Sequence, residues 1–174
     1  MVTTNETGDG IEALRETGIA ALMFARRVMM GLLEEISDDQ FFHQPFRGAN
    51  HAAWIVGHIC HNDDNFLTGL EGRPSQLPAG WKALFAAGSA PGSDSDHHPN
   101  RDQIMTQFKA RRHELLGWFR AMPTDQLISP LPANWKTFGA NYGVLMSTLA
   151  WHEGLHAGQL TVIRKNLGIA PKFG

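Results

Sequence analysis

Residues 141–160 read Asn-Tyr-Gly-Val-Leu-Met-Ser-Thr-Leu-Ala-Trp-His-Glu-Gly-Leu-His-Ala-Gly-Gln-Leu. The recurrence Leu145, Leu149, His152, His156, Leu160, continued by Ile163 and Leu167, advances in steps of three and four, the period of one helix face. Two histidines therefore stand in the middle of an apolar stripe, one turn apart and on the same side. A buried polar group without a partner costs on the order of 1–3 kcal/mol. A metal ion that takes both lone pairs removes that cost; hydrogen bonds to backbone or side chains are the alternative. With nine histidines in the chain the spacing is weak evidence, and the place on the stripe is the stronger signal.

Working outward, the same period recurs. Ile11, Leu14, Gly18, Leu22, Ala25, Met29, Leu32 and Ile36 form one face, with Asp9 and Glu12 as a capping-box-like start and Ser37-Asp38-Asp39 as the break. Asn50 caps a second helix from about His51 to Leu70, stopped by Gly72 and Pro74. Residues 72–100 are rich in Gly, Pro, Ser and Asp, with a short helix at Trp81–Phe85. Asn100 and Gln103 then open a third helix carrying Ile104, Phe108, Leu115, Phe119 and Met122, ended by Pro123. After Pro130, Pro132 and Gly139 comes the last helix, stopped by Gly168.

No segment alternates in strand fashion and no repeat is visible. The pattern predicts an all-α fold, a four-helix bundle with helices near 10–37, 50–71, 101–121 and 141–167. One domain spans 1–174, with residues 1–9 a flexible N-terminus. The connection between helices two and three is long enough to run the length of the bundle, so those helices can be parallel.

Composition narrows the function. The chain has 174 residues, 43% hydrophobic and 18% charged, as in ordinary globular domains. A net charge of −2 offers no field for nucleic acid. There is no signal-peptide pattern and no apolar run long enough to span a membrane. The lone Cys60 allows no internal disulfide. These features predict a cytoplasmic protein that acts on a small molecule, away from membranes and nucleic acids. His43 and the pair His97-His98 fall in loops.

Residues 152–156 also spell His-Glu-x-x-His, the zincin signature with Glu153 as general base. No His, Asp, Glu or Cys follows His156, so a third ligand is expected from upstream, on another helix. The second helix offers His51, His58 and His61. His58 lies in its apolar centre, after Gly57, which permits close approach of a neighbour. His51 stands at the helix start, where capping or solvent is the plainer role, and His61 is a fourth ligand or a polar flank.

Trp54-Ile-Val-Gly-His58-Ile, followed by His152-Glu-Gly-Leu-His156-Ala-Gly-Gln159, resembles the paired signatures of the DinB-like superfamily. The resemblance extends to Leu84-Phe85 and Gly88-Ser89-Ala90-Pro91 and to the ending Ile163-Arg164-Lys165-Asn166-Leu167-Gly168. It implies a four-helix bundle of the DinB type, with one divalent metal held by His58, His152 and His156. It also implies kinship with thiol-dependent S-transferases and maleylpyruvate isomerases, and a homodimer. Met29, Met30 and Trp118 extend beyond one clean stripe and are the expected contact surface.

Three neutral imidazoles leave a metal with an open position. Zinc or nickel fits this ligand set best, and iron or manganese is compatible. An ion there activates either water or a low-molecular-weight thiol. The expected activity is therefore transfer of a thiol to a small substrate, or hydrolysis. A bundle that senses or sequesters metal is the non-enzymatic alternative. Glu153 is placed as a helix–helix ion pair or a support to the ligands. Asn62 and Asn65 are placed at the open position, and Gln159 one turn beyond His156. The loops at Phe46-Arg47 and Trp135-Lys136 are expected to form the mouth, with Arg47 and Lys136 as anion anchors. Trp54, Trp151 and Phe138 are core or pocket wall, and Cys60 is an inert buried thiol.

Overall fold

Capping chemistry sets most helix boundaries. A computed structural model of the chain describes residues 4–92 and 98–173; His97 lies outside them. The elements are α1 (Thr4–Leu33), α2 (Ala52–Glu71), the short α3 (Trp81–Phe85), α4 (Arg101–Ala121), the single turn α5 (Thr124–Leu127) and α6 (Tyr142–Asn166). A 3₁₀ helix, Ala133–Phe138, precedes α6. Among the described residues the only bridge is an isolated one between Pro130 and Asn141. Asn100 and Gln103 form a complete capping box on α4, and Asn141 accepts the Val144 N–H at 2.9 Å to start α6. Gly72 ends α2 in the left-handed region at φ 76°, donating its N–H to Thr68.

Three boundaries differ from expectation. Helix α1 already runs from Thr4, so Asp9 lies inside it. Glu12 does not cap; its carboxylate takes Arg15 Nε at 3.0 Å, three residues on. The same helix stops at Leu33 instead of 37, because Arg164 and Arg101 donate to the terminal carbonyls of Leu32 (2.8 Å) and Leu33 (3.0 Å). Ile36 is reached by a turn and still fully buried. On α2 the cap is His51, whose Nδ1 accepts the Trp54 N–H at 3.0 Å. Asn50 is freed to bond Gln159.

Contacts between helices give their directions. Leu14 meets Gly143, Gly18 meets Met146 and Leu32 meets Arg164, so α1 and α6 run parallel. Asp63 meets Arg112 and Arg73 meets Glu114, so α2 and α4 are also parallel, as the long connection allows. Arg15 donates to the carbonyls of Phe119 and Met122, and Asn50 to Gln159, so the two pairs oppose each other. At Gly18 a Cβ would lie 2.5 Å from the Met146 side chain, so glycine is what lets α1 and α6 approach.

The core has two parts. One gathers Met29, Ile55, Ile59, Phe85, Phe108 and Leu160; the other gathers Leu22, Phe66, Leu115, Phe119, Leu145 and Met146. Between them, by position on every long helix, lie Arg26, Asp63, Arg112 and Glu153. Of the side chains expected at a contact surface, Met29 is fully buried, while Met30 and Trp118 are half-buried. Exposed large apolar side chains occur on α6, at Val144, Trp151, Leu155 and Val162, and on α1, at Leu14, Met23 and Phe24. Among the described residues no helix is long and apolar enough to cross a membrane.

Candidate metal centre

Because α2 runs against α6, His58 faces the stacked pair His152 and His156. Each ring offers one nitrogen, and the three lie within 4.8 Å of one another. Among the described residues no other group of three or more His, Cys, Asp or Glu converges in this way. His58 donates Nδ1–H to the Phe85 carbonyl at 2.8 Å, and His156 donates Nδ1–H to Gln159 Oε1 at 3.0 Å. These bonds assign the tautomers and leave both Nε2 lone pairs turned inward. His152 Nε2 lies 3.1 Å from His156 Nε2. Two nitrogens on a tetrahedral zinc stand roughly 3.3 Å apart, so this pair is already near ligating geometry.

The long connection holds His58 in place. Trp54 stacks flat on its ring, with centroids 4.7 Å apart and planes 7° from parallel. The Trp54 indole donates to Ser89 Oγ at 2.9 Å, and that hydroxyl donates to the Leu84 carbonyl at 2.8 Å. A Cβ at Gly57 would run into the Phe85 ring. Gly57 thus admits α3, whose last carbonyl orients the histidine one residue further along.

Burial lowers the pKa of all three imidazoles. It brings His152, with help from the neighbouring rings of His156 and His58, and His156 down to about 4. At neutral pH the rings are uncharged and their lone pairs are not competed for by protons.

Asn62, one turn beyond His58, donates from its amide to His58 Nε2 at 3.0 Å, a bond that a cation on that nitrogen would replace. It also lines a cleft of about 90 Å³, together with Phe66, Phe138, Thr148, Leu149, Trp151 and His152. His152, half-buried where the other two are buried, is the ring on the open side.

Glu153, one residue on, is turned inward and fully buried. Its oxygens take Arg26 Nε and Arg112 Nη1, both at 2.6 Å. Arg112 grips Asp63 through two bonds of 2.9 and 3.0 Å, and Arg26 reaches Asp63 at 3.2 Å. Each long helix contributes one member of this quartet, which is neutral overall. The ion-pair role expected for Glu153 is what the structure shows. Arg26, Asp63 and Arg112 were not foreseen, though the signal was legible. Arg26 lies between Leu22 and Met29, Asp63 between Ile59 and Phe66, and Arg112 between Phe108 and Leu115, each on its helix's apolar stripe.

The remaining candidates scatter. His61 is half-buried in a separate cleft with Asp64 and Lys82, outside the triad. Asn65 is exposed and lines that second cleft, not the one at His152. His51 caps α2 and donates its other nitrogen to the Gly92 carbonyl at 3.0 Å. Gln159 holds His156, as above. Arg47 and Lys136 are exposed, and their loops supply aromatic walls instead of charges. Phe138 lines the cleft at His152, and Phe46 lines another of about 330 Å³ beside Gln159 and Val162. Trp54 is core, Trp151 pocket wall, and Cys60 a fully buried thiol whose pKa burial pushes up.

Comparison with known proteins agrees with this architecture. The crystal structure of a conserved protein from Enterococcus faecalis is similar over 88% of this chain and 96% of its own, with a TM-score of 0.69 and 14% identity. At that identity the likeness is one of fold. No curated protein matches the chain in sequence. The profile of the DinB superfamily matches residues 21–160, a span that takes in the three histidines, Gln159 and the whole quartet. The chain belongs to the DinB superfamily.

Proposed function

We propose that His58, His152 and His156 hold one divalent cation, zinc or nickel in preference to iron or manganese, and that the protein is a metal-dependent transferase for a low-molecular-weight thiol. The observation that carries this reading is the convergence of three neutral imidazole nitrogens beside a cleft at His152. A cation bound there supplies Lewis acidity, which lowers the pKa of a thiol or of water. The chain's own residues do the rest. Phe85 O and Gln159 orient two of the rings, Trp54 keeps solvent off His58, and Asn62 presents an amide at the rim of the cleft.

Hydrolysis is the second reading, and one observation weighs against it. A zincin-type mechanism uses the glutamate of His-Glu-x-x-His as the base. Here that residue, Glu153, has both oxygens on arginines and no exposure. A thiol needs no such base once its pKa is lowered. The test is metal analysis of the purified protein and of His152→Ala. Turnover assays then pair thiol cofactors with electrophiles, alongside ester and amide substrates. Near-complete loss of metal in the variant, with thiol-dependent turnover in the wild type, is the expected result. Full occupancy in His152→Ala overturns the ligand assignment.

A further inference from the structure

The cleft at His152 is small, aromatic and without charge. Its walls are Phe66 and Asn62 of α2, Phe138 of the 3₁₀ helix, and Thr148, Leu149 and Trp151 of α6. The nearest ionised groups along the chain, Asp63 and Glu153, point inward and are neutralised by Arg26 and Arg112. Trp151 is 65% exposed and Phe138 38% exposed. Two large rings of the lining thus stand partly in solvent, an arrangement that gains when an apolar group covers them. A volume of about 90 Å³ suits one ring or a short alkyl chain, not a whole cofactor.

We propose that this cleft binds the uncharged, apolar end of the substrate that approaches the metal, a single aromatic ring or an alkyl group of similar size, against Trp151 and Phe138 and beside Asn62. The lining offers carboxylates and phosphates no cationic side chain, so an anionic tail held against it loses its water without a protein counter-charge. The proposal rests on the metal reading only for which chemistry follows binding; the recognition itself belongs to the cleft.

Two measurements test it separately from that reading. In the first, cobalt(II)-loaded protein is titrated with benzenethiol and with 4-mercaptobenzoate, followed by thiolate-to-cobalt absorption. Benzenethiol should bind about tenfold or more tightly than 4-mercaptobenzoate. That preference should vanish in Trp151→Ala and shrink in Phe138→Ala, with cobalt content unchanged. In the second, metal-free protein is probed with benzyl alcohol by saturation-transfer NMR. Transfer to the ring protons should be lost in Trp151→Ala and kept in Leu155→Ala, a control on the same helix outside the cleft. If the wild type takes up no cobalt while the NMR pattern holds, the metal reading fails and this one stands. If cobalt binds but the two thiols compete equally, or Trp151→Ala transfers as the wild type does, the cleft is not the recognition site.

Discussion

The histidine triad and the arginine–carboxylate quartet are neighbours along the chain and opposites in design. His152 precedes Glu153, and Asn62 precedes Asp63; one residue of helix turns a side chain by about 100°. That rotation sends one member of each pair to a cleft and the other to the middle of the bundle. The triad is uncharged, half-open on the His152 side, and keeps inward lone pairs. The quartet is fully ionised, closed, and saturated by its own partners. A buried ion cluster adds little net stability over an apolar replacement, but it is costly to break. Its one member per helix therefore acts as a latch on axial register: no helix can slide without unpairing a charge. Because Asp63 and Glu153 adjoin Asn62 and His152, the same latch sets the level at which α2 and α6 present their ring nitrogens.

This contrast can be broken in order of cost. Arg112→Met strands two buried carboxylates on Arg26 alone and should cost about 3–5 kcal/mol in urea unfolding of the metal-free protein. A loss under about 1 kcal/mol would mean the quartet is no latch. Acid comes next. His51, His152 and His156 are held down to about 4 by burial, so the folded state stays neutral while the unfolded chain protonates near 6.5. Between those values the unfolded state binds more protons. Metal-free stability should be full above pH 6.5 and fall steadily toward pH 4, by at least about 2 kcal/mol in all. A flat profile from pH 7 to 4.5 would show that the rings are solvated.

Gly57→Ala probes the support of the triad. The added methyl displaces Phe85, with an expected cost of about 1–3 kcal/mol, and loosens the carbonyl that orients His58. Metal affinity should fall with it; unchanged affinity would detach α3 from the site. His152→Ala should move metal-free stability by less than about 1 kcal/mol, since the ring is only half-buried, yet abolish metal uptake. Arg47→Ala, on an exposed loop outside both clefts beside the triad, should alter stability by no more than about 0.5 kcal/mol and leave metal content and thiol affinity as they are. A clear drop in thiol affinity there would restore the anion-anchor role.

Local chemistry accounts for what was legible. The three-and-four period located all four long helices, Asn100, Asn141, Gly72 and Gly168 marked ends correctly, and the length of the 72–100 connection allowed parallel α2 and α4. Those signals act within a turn or two of one chain segment. The misreadings were of another kind. Glu12 turned to Arg15 instead of capping, α1 stopped early because distant arginines took its last carbonyls, and Asn65 fell on a face that a period alone does not assign.

From its own periodicity the sequence determined that His152 and His156 share one face, and it set Arg26, Asp63, Arg112 and Glu153 each among apolar residues of a long helix. Only the tertiary structure decided that the four charges meet and cancel, that Phe85 and Gln159 fix the ring tautomers, and that Trp151 and Phe138 close one side of the site. The reason is range. A helix face is set by neighbours three and four residues away, whereas the distance between two faces depends on every side chain packed between them.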